Sequence, residues 1–294
     1  SRSAKVDLNK ILVGLDTHEW PEIFHTLNVV RQIVLHHQKV VTAHSRTTLH
    51  DMYMGVLRQA DNLRSQVAKN AILTLADFYI GFGRAMDGEV TSSVNLLTKK
   101  TADSATTFVA STAEGTVCQI IETSTASRTL NGLLQCIDSR NPTLRGRVAG
   151  FLHLLVQLRG NDLKGCREIE TLKGKLKTML YDNTPDARAF SRDIVRELIN
   201  TGVVSKGDLE QRCSVDMVAK ALSMPSHSGS ASPGRRGGGS PKRIGGMSMM
   251  SPGGRNRSSA NKKGVSAGNG GYGMDELTLP SDDEEGEETE GSEV

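Results

Sequence analysis

A helix-opening pattern built around arginine recurs along this chain at roughly forty-residue spacing, the mark of stacked helical hairpins. It reads Asp61-Asn62-Leu63-Arg64-Ser65-Gln66-Val67, then Asn141-Pro142-Thr143-Leu144-Arg145-Gly146-Arg147-Val148, then Thr184-Pro185-Asp186-Ala187-Arg188. Weaker copies fall in phase at Trp20-Pro21-Glu22-Ile23 and Thr106-Thr107-Phe108-Val109. Such a unit cannot bury its apolar face alone, so neighbours must stack, and function is expected on a repeated edge rather than in a single pocket.

Apolar periodicity fills in the helices. Leu8, Ile11, Leu12 and Leu15 share one face of a segment from Val6 to Leu15, and Asp16-Thr17 interrupts it before Trp20-Pro21 opens the next helix with proline at a tolerated position. The same grammar predicts a helix over Thr47–Gln59 and a longer one through Val67 to Tyr79, ended by Gly81 and Gly83. It continues with Asp87–Lys99 and Thr107–Ile121, Ser127–Ile137 and Thr143–Leu158, then Ile169–Tyr181 and Asp186–Asn200. A helix over Leu209–Leu222 is expected to cap the stack. The fold class is therefore all-α: an α-solenoid of about five to six helical hairpins, followed by a disordered tail.

The tail is read from composition. Only 37% of the 294 residues are hydrophobic and 4% aromatic, thin for one globule of that length. A domain over 1–222 gives way to a Gly/Ser/Pro/Arg-rich basic linker, 223–273, and an acidic segment, 274–294, that includes Ser281-Asp282-Asp283-Glu284-Glu285. Neither carries a periodic apolar pattern that could offset the entropy of ordering, so both are expected to be disordered. Ser232-Pro233 and Ser240-Pro241, each with a base downstream, make Ser232 and Ser240 candidate phosphosites, although a plain flexible linker would read the same way.

Charge narrows the partner. Of 36 Lys/Arg and 33 Asp/Glu, 8 and 10 lie at or beyond Met224, which leaves the hairpins with a mild positive excess. That suits an acidic protein surface and falls short of a dedicated nucleic-acid binder. No apolar run approaches a membrane span, and Ser1-Arg2-Ser3-Ala4-Lys5 carries no apolar signal core, so a cytoplasmic setting without membrane contact is expected for what reads as a fragment of a longer protein. Cys118, Cys136, Cys166 and Cys213 are widely spaced and fit reduced thiols. His36, His37, His44 and His50 straddle a helix end without a supporting ligand, so no metal is expected; Gly81-Phe82-Gly83 lacks the lysine of a phosphate loop, so no cofactor is expected either. With no nucleophile, base and orienting group in view, the chain reads as noncatalytic.

Helix pairs whose second helices open with an Asx/Pro-x-x-Arg pattern resemble HEAT repeats. The turn tryptophan Trp20, the Leu63-Arg64-Ser65-Gln66-Val67 run and the basic turns of the fourth and fifth hairpins further resemble TOG domains, nearest to the CLASP and axonemal TOG-array type. The resemblance covers about Val6 to Leu222. It implies a paddle whose intra-hairpin turns bind αβ-tubulin or microtubules along one edge and regulate polymer growth or stability, possibly in the axoneme or basal body of a cilium or flagellum. It implies contact by Trp20 in the first turn and by Asn62, Arg64 and Ser65 in the second. Lys99, Lys100 and Thr106 belong to the third turn, Arg140, Asn141 and Arg145 to the fourth, and Asn183 and Arg188 to the fifth. The pattern departs from the family at Phe108-Val109-Ala110, where a basic residue is common. Other readings stay open: Trp20 as core, Arg145 and Arg188 as braces on carbonyls or carboxylates, and the whole as a HEAT scaffold for a different protein or a static axonemal component.

Overall fold

The computed structural model describes residues 8–42, 46–103 and 106–226, and every regular element among them is helical. Helices α1 (Leu8–Asp16) and α2 (Trp20–His36) form the first pair. A short helix, α3 (Gln38–Thr42), leads into α4 (Arg46–Gln59) and α5 (Ser65–Phe82). Next come α6 (Val90–Thr101) with α7 (Thr107–Thr123), and α8 (Ala126–Cys136) with α9 (Pro142–Arg159). The last pairs are α10 (Glu168–Leu180) with α11 (Pro185–Asn200) and the short α12 (Lys206–Cys213) with α13 (Val215–Ser223). The expected solenoid of helical hairpins is present. The start at Val6, the linker from residue 227 onward, the acidic segment, and Ser232 and Ser240 lie outside the described residues, while Ser223, the first residue of the expected linker, closes α13.

Second helices stack on one another, α2 on α5, α5 on α7, α9 on α11 and α11 on α13, and α9 also meets both α6 and α7. The seams are apolar and sealed: Leu27, Leu75, Val117, Phe151 and Val195 are fully buried. Each such side chain contributes about 1.5–3 kcal/mol, and the helices that bury it include those of the neighbouring hairpin. That is why single hairpins cannot stand alone.

Four local features differ from the sequence reading. Gly81 does not end α5 but lies inside it, because a Cβ there would sit 2.9 Å from the Val34 carbonyl oxygen of α2; the glycine is a close-approach site, and Gly83, at φ 51°, is the terminator. Asp87 stands before α6 rather than in it and accepts hydrogen bonds from the Thr125 amide (2.9 Å) and hydroxyl (2.5 Å), fixing the entry to α8. The expected final helix is two helices, broken at Ser214 with φ 87°. Helix α3 was not expected.

A polar node lies in the seam of the second and third pairs. The Tyr79 hydroxyl is 2.6 Å from Ser93 Oγ, Tyr53 bonds the same oxygen, and Ser93 donates to the Glu89 carbonyl at 3.1 Å. Burial pushes the Tyr53 phenol up to about 12, and Tyr79 is also raised well above its ordinary value, so both remain neutral donors. Ser93→Ala is expected to lose about 1–3 kcal/mol, since it leaves two buried hydroxyls short of a partner. Urea denaturation reads this directly; an unchanged midpoint would show that the phenols satisfy each other.

Candidate functional site

Each intra-hairpin turn must deliver the chain into the next helix with its first amides satisfied, and one device recurs. Thr17 Oγ1 accepts from the Glu19 amide (3.3 Å), Asn62 Oδ1 from Arg64 (2.9 Å), Ser139 Oγ from Asn141 (3.2 Å) and Asp182 Oδ1 from Thr184 (2.8 Å). The accepting residue always precedes the helix N-cap by two, a turn that short polar side chains form readily. The corresponding position in the third turn, Ser104, lies outside the described residues.

This frame corrects the register of the repeated arginine. Arg64 is the N-cap of α5, equivalent to Glu19, Asn141 and Thr184, whereas Arg145 and Arg188 stand four positions further on, in the first turns of α9 and α11. The two helical arginines share one geometry. Arg145 Nη1 donates to the carbonyls of Ser139 (2.9 Å) and Arg140 (3.2 Å), and Arg188 Nη1 to those of Asp182 (2.6 Å) and Asn183 (3.0 Å). A cation there meets the partial negative charge of the preceding helix end. Arg145 also grips Asp182 through two bonds, 2.6 and 3.2 Å, tying the fourth turn to the fifth. Burial alone would raise Asp182, but hydrogen bonds from Arg145 and Thr184 and the Arg145 charge together outweigh it and hold the carboxyl at about 2. Both arginines thus take the brace geometry.

Ion pairs join other neighbouring turns: Arg58 to Asp16 (3.3 Å), Lys100 to Asp61 (2.5 Å) and Lys175 to Asp138 (2.5 Å). Lys100 is therefore engaged across the second and third turns. Asn62 and Asn141 are engaged too. The Asn62 Nδ2 group donates to Gln59 Oε1 at 2.8 Å, and Asn141 caps α9 by accepting from Thr143 and Leu144.

The remaining expected residues present themselves outward. Trp20 is 45% exposed at the first position of α2, and the Arg64 guanidinium lies over its ring, 5.3 Å from the centroid. Arg64, Lys99, Arg140 and Asn183 are exposed, and Ser65 and Thr106 are half-buried on the same turns. Residues not singled out from sequence join them: Leu63 is fully exposed at the second turn, and Tyr181 is 67% exposed at the fifth. Tyr181 and Asn183 line a groove of about 390 Å³ with Ser139, Arg145 and Lys175. Phe108, 39% exposed at the start of α7, has the Lys69 ammonium 5.7 Å from its ring centroid. The sequence showed only that Phe108-Val109-Ala110 stands where a basic residue is common; neither the exposure of the ring nor its pairing with a lysine of α5 was visible there.

Among the described residues no group of three His, Cys, Asp or Glu is placed to hold a metal ion, and no helix is long and apolar enough to cross a membrane.

The solved MAST/Orbit N-terminal domain superposes with a TM-score of 0.55 at 11% identity, covering 72% of this chain and 93% of that one. A TOG-domain structure of crescerin gives 0.54 at 13% identity over 68% of this chain and 84% of its own. The helical unit is a HEAT-repeat solenoid of the TOG type. The chain belongs to the CLASP N-terminal family, whose model matches residues 18–213. Among its relatives, the crescerin-like protein che-12 of Caenorhabditis elegans is 22% identical over 225 residues, 76% of this chain and 16% of its own length. The TOG array regulator of axonemal microtubules protein 1 of Mus musculus is 24% identical over 198 residues, 65% of this chain and 10% of its own. The chain thus corresponds to a small part of each.

Proposed function

We propose that this protein is a noncatalytic module that binds αβ-tubulin, free or in the microtubule, along its turn edge, and so regulates microtubule growth or stability in the cytoskeleton, the cilium or flagellum included. The observation that carries this reading is the Trp20–Arg64 pair: a half-exposed aromatic ring and a guanidinium from successive turns, held together on one edge. An aromatic anchor beside a cation is the composition of an interface hot spot, and separated cations orient an acidic partner during encounter. Relatives support the partner class, since one is named as a regulator of axonemal microtubules and the crescerin TOG array is described as regulating microtubules in the primary cilium.

In this reading Trp20, Arg64, Ser65, Lys99, Thr106, Arg140 and Asn183 touch the partner. Asn62, Lys100, Asn141, Arg145 and Arg188 hold the turns in place. The linker, 223–273, adds a diffuse basic tether that phosphate at Ser232 or Ser240 weakens.

The test is affinity of the full chain for free αβ-tubulin and, separately, for stabilised microtubules, with Trp20→Glu and Arg64→Glu checked for unchanged helicity. Trp20→Glu is expected to cost about 2 kcal/mol, roughly thirtyfold in affinity, and Arg64→Glu to lower the association rate most strongly at low salt. Binding to polymer alone would make the protein a static lattice component. Absence of wild-type binding to either form would overturn the reading in favour of a scaffold for another protein.

A further inference from the structure

Hairpin two faces its neighbours with two cations rather than one. Arg64, at the N-cap of α5, turns to the Trp20 ring of the first hairpin; Lys69, five residues into the same helix, turns to the Phe108 ring of the third. Both rings stand at helix starts, Trp20 at the first residue of α2 and Phe108 at the second of α7, and both stay more than a third exposed. Exposure is informative at Phe108 because its neighbour Val109 is 4% exposed, so α7 meets the core without using the ring. The third hairpin itself has Thr106 at the N-cap, and of the two lysines closing α6, Lys100 is taken by Asp61.

We infer that Lys69 and Phe108 form a second contact of the turn edge, a cation over an aromatic face that serves at the start of α7, where that helix brings no base of its own and Lys99 closes α6. This rests on the tubulin reading above. The strip would run ring, cation, cation, ring across three hairpins. Its chemistry fits an acidic loop in which a carboxylate lies beside an apolar side chain: the ammonium takes the charge while the ring covers the apolar part. The edge is then continuous through its middle, and the contact there is partly apolar, so salt weakens it less than a bare lysine contact.

The full chain, with αβ-tubulin as the probe, decides this. Lys69→Met removes the charge and keeps the stem; Phe108→Leu removes the ring and keeps apolar volume over Val109. Each is expected to weaken binding about fivefold to thirtyfold with the melting temperature unchanged, and the double variant to lose less than the product of the two, as coupled groups do. The salt dependence should fall in Lys69→Met and persist in Phe108→Leu. Wild-type affinity in both variants, with Trp20→Glu still defective, would overturn this contact and leave the tubulin reading standing. So would affinity losses that multiply, because the two side chains would then act separately. No binding by the wild type would overturn both.

Discussion

Asp182→Ala is expected to lose about 1.5–3 kcal/mol of folding stability, the range for hydrogen bonds to a charged group at a half-buried site. The carboxylate accepts two bonds from Arg145, one from the Thr184 amide and one from the Thr184 hydroxyl at 2.6 Å, so its removal takes away half of the guanidinium's bonds and loosens the fifth turn together. Asp182→Asn keeps an acceptor for Thr184 and should lose less. The effect carries a pH signature. The folded carboxyl sits at about 2, below its ordinary 3.8, so the ionised form is the stabilised one. That contribution, about 2 kcal/mol, is complete above the unfolded value and disappears as pH falls through the folded one. Urea denaturation of the wild type and Asp182→Asn should therefore show a gap that is constant from pH 7 to about 5 and closes between about pH 4 and 2. A gap that ignored pH would mean that the turn, not the charge, is what matters.

Gly81→Ala is the second large effect, with a sign opposite to helix propensity. Alanine in a helix interior ordinarily gains up to about 1 kcal/mol over glycine. At Gly81, however, the new Cβ meets the Val34 carbonyl oxygen at 2.9 Å and Val34 Cγ1 at 3.1 Å, and a backbone atom of a packed helix cannot swing aside. The α2–α5 seam must open, for about 1–3 kcal/mol net, and Gly81→Val should exceed that. Gly115 in α7 is the internal comparison: nothing lies within 4 Å of a Cβ there, so Gly115→Ala should stabilise. Thermal denaturation of the two alanine variants should move in opposite directions. If both rise, the seam is looser than the coordinates of Val34 require.

The hairpins were legible because their information is local. Pro21, Pro142 and Pro185 fall in the first positions of α2, α9 and α11, where a missing amide hydrogen does no harm, and the apolar period did the rest. Register was less legible, because Leu63-Arg64 and Leu144-Arg145 are the same letters in different places of the hydrogen-bonded frame. What fixes the frame is the polar residue two before each N-cap, and Thr17, Asn62, Ser139 and Asp182 are four different residue types in that one role. Contacts between hairpins were hidden for a further reason. Lys69 and Phe108 are 39 positions apart by their numbers, and only the stacking of α5 on α7 makes them neighbours. Ser214 carried no sign of its positive φ, since a serine in that conformation is held by its surroundings rather than by its own preference.

Helix starts usually recruit the N-cap side chain itself, which confines that position to a few small polar residues. At the first and second turns the amide of the N-cap is already held by the residue two before it, and the side chains of Glu19 and Arg64 make no capping bond. The outermost letter of these two turns is thereby released from folding, unlike Asn141, which caps α9, and Thr184, whose hydroxyl bonds Asp182. An acid or a base can occupy it with the same helix beneath, so substitutions there should be close to neutral for stability while changing what the edge attracts. Such an edge can drift between partners, or sharpen its preference for one, through single replacements made one turn at a time.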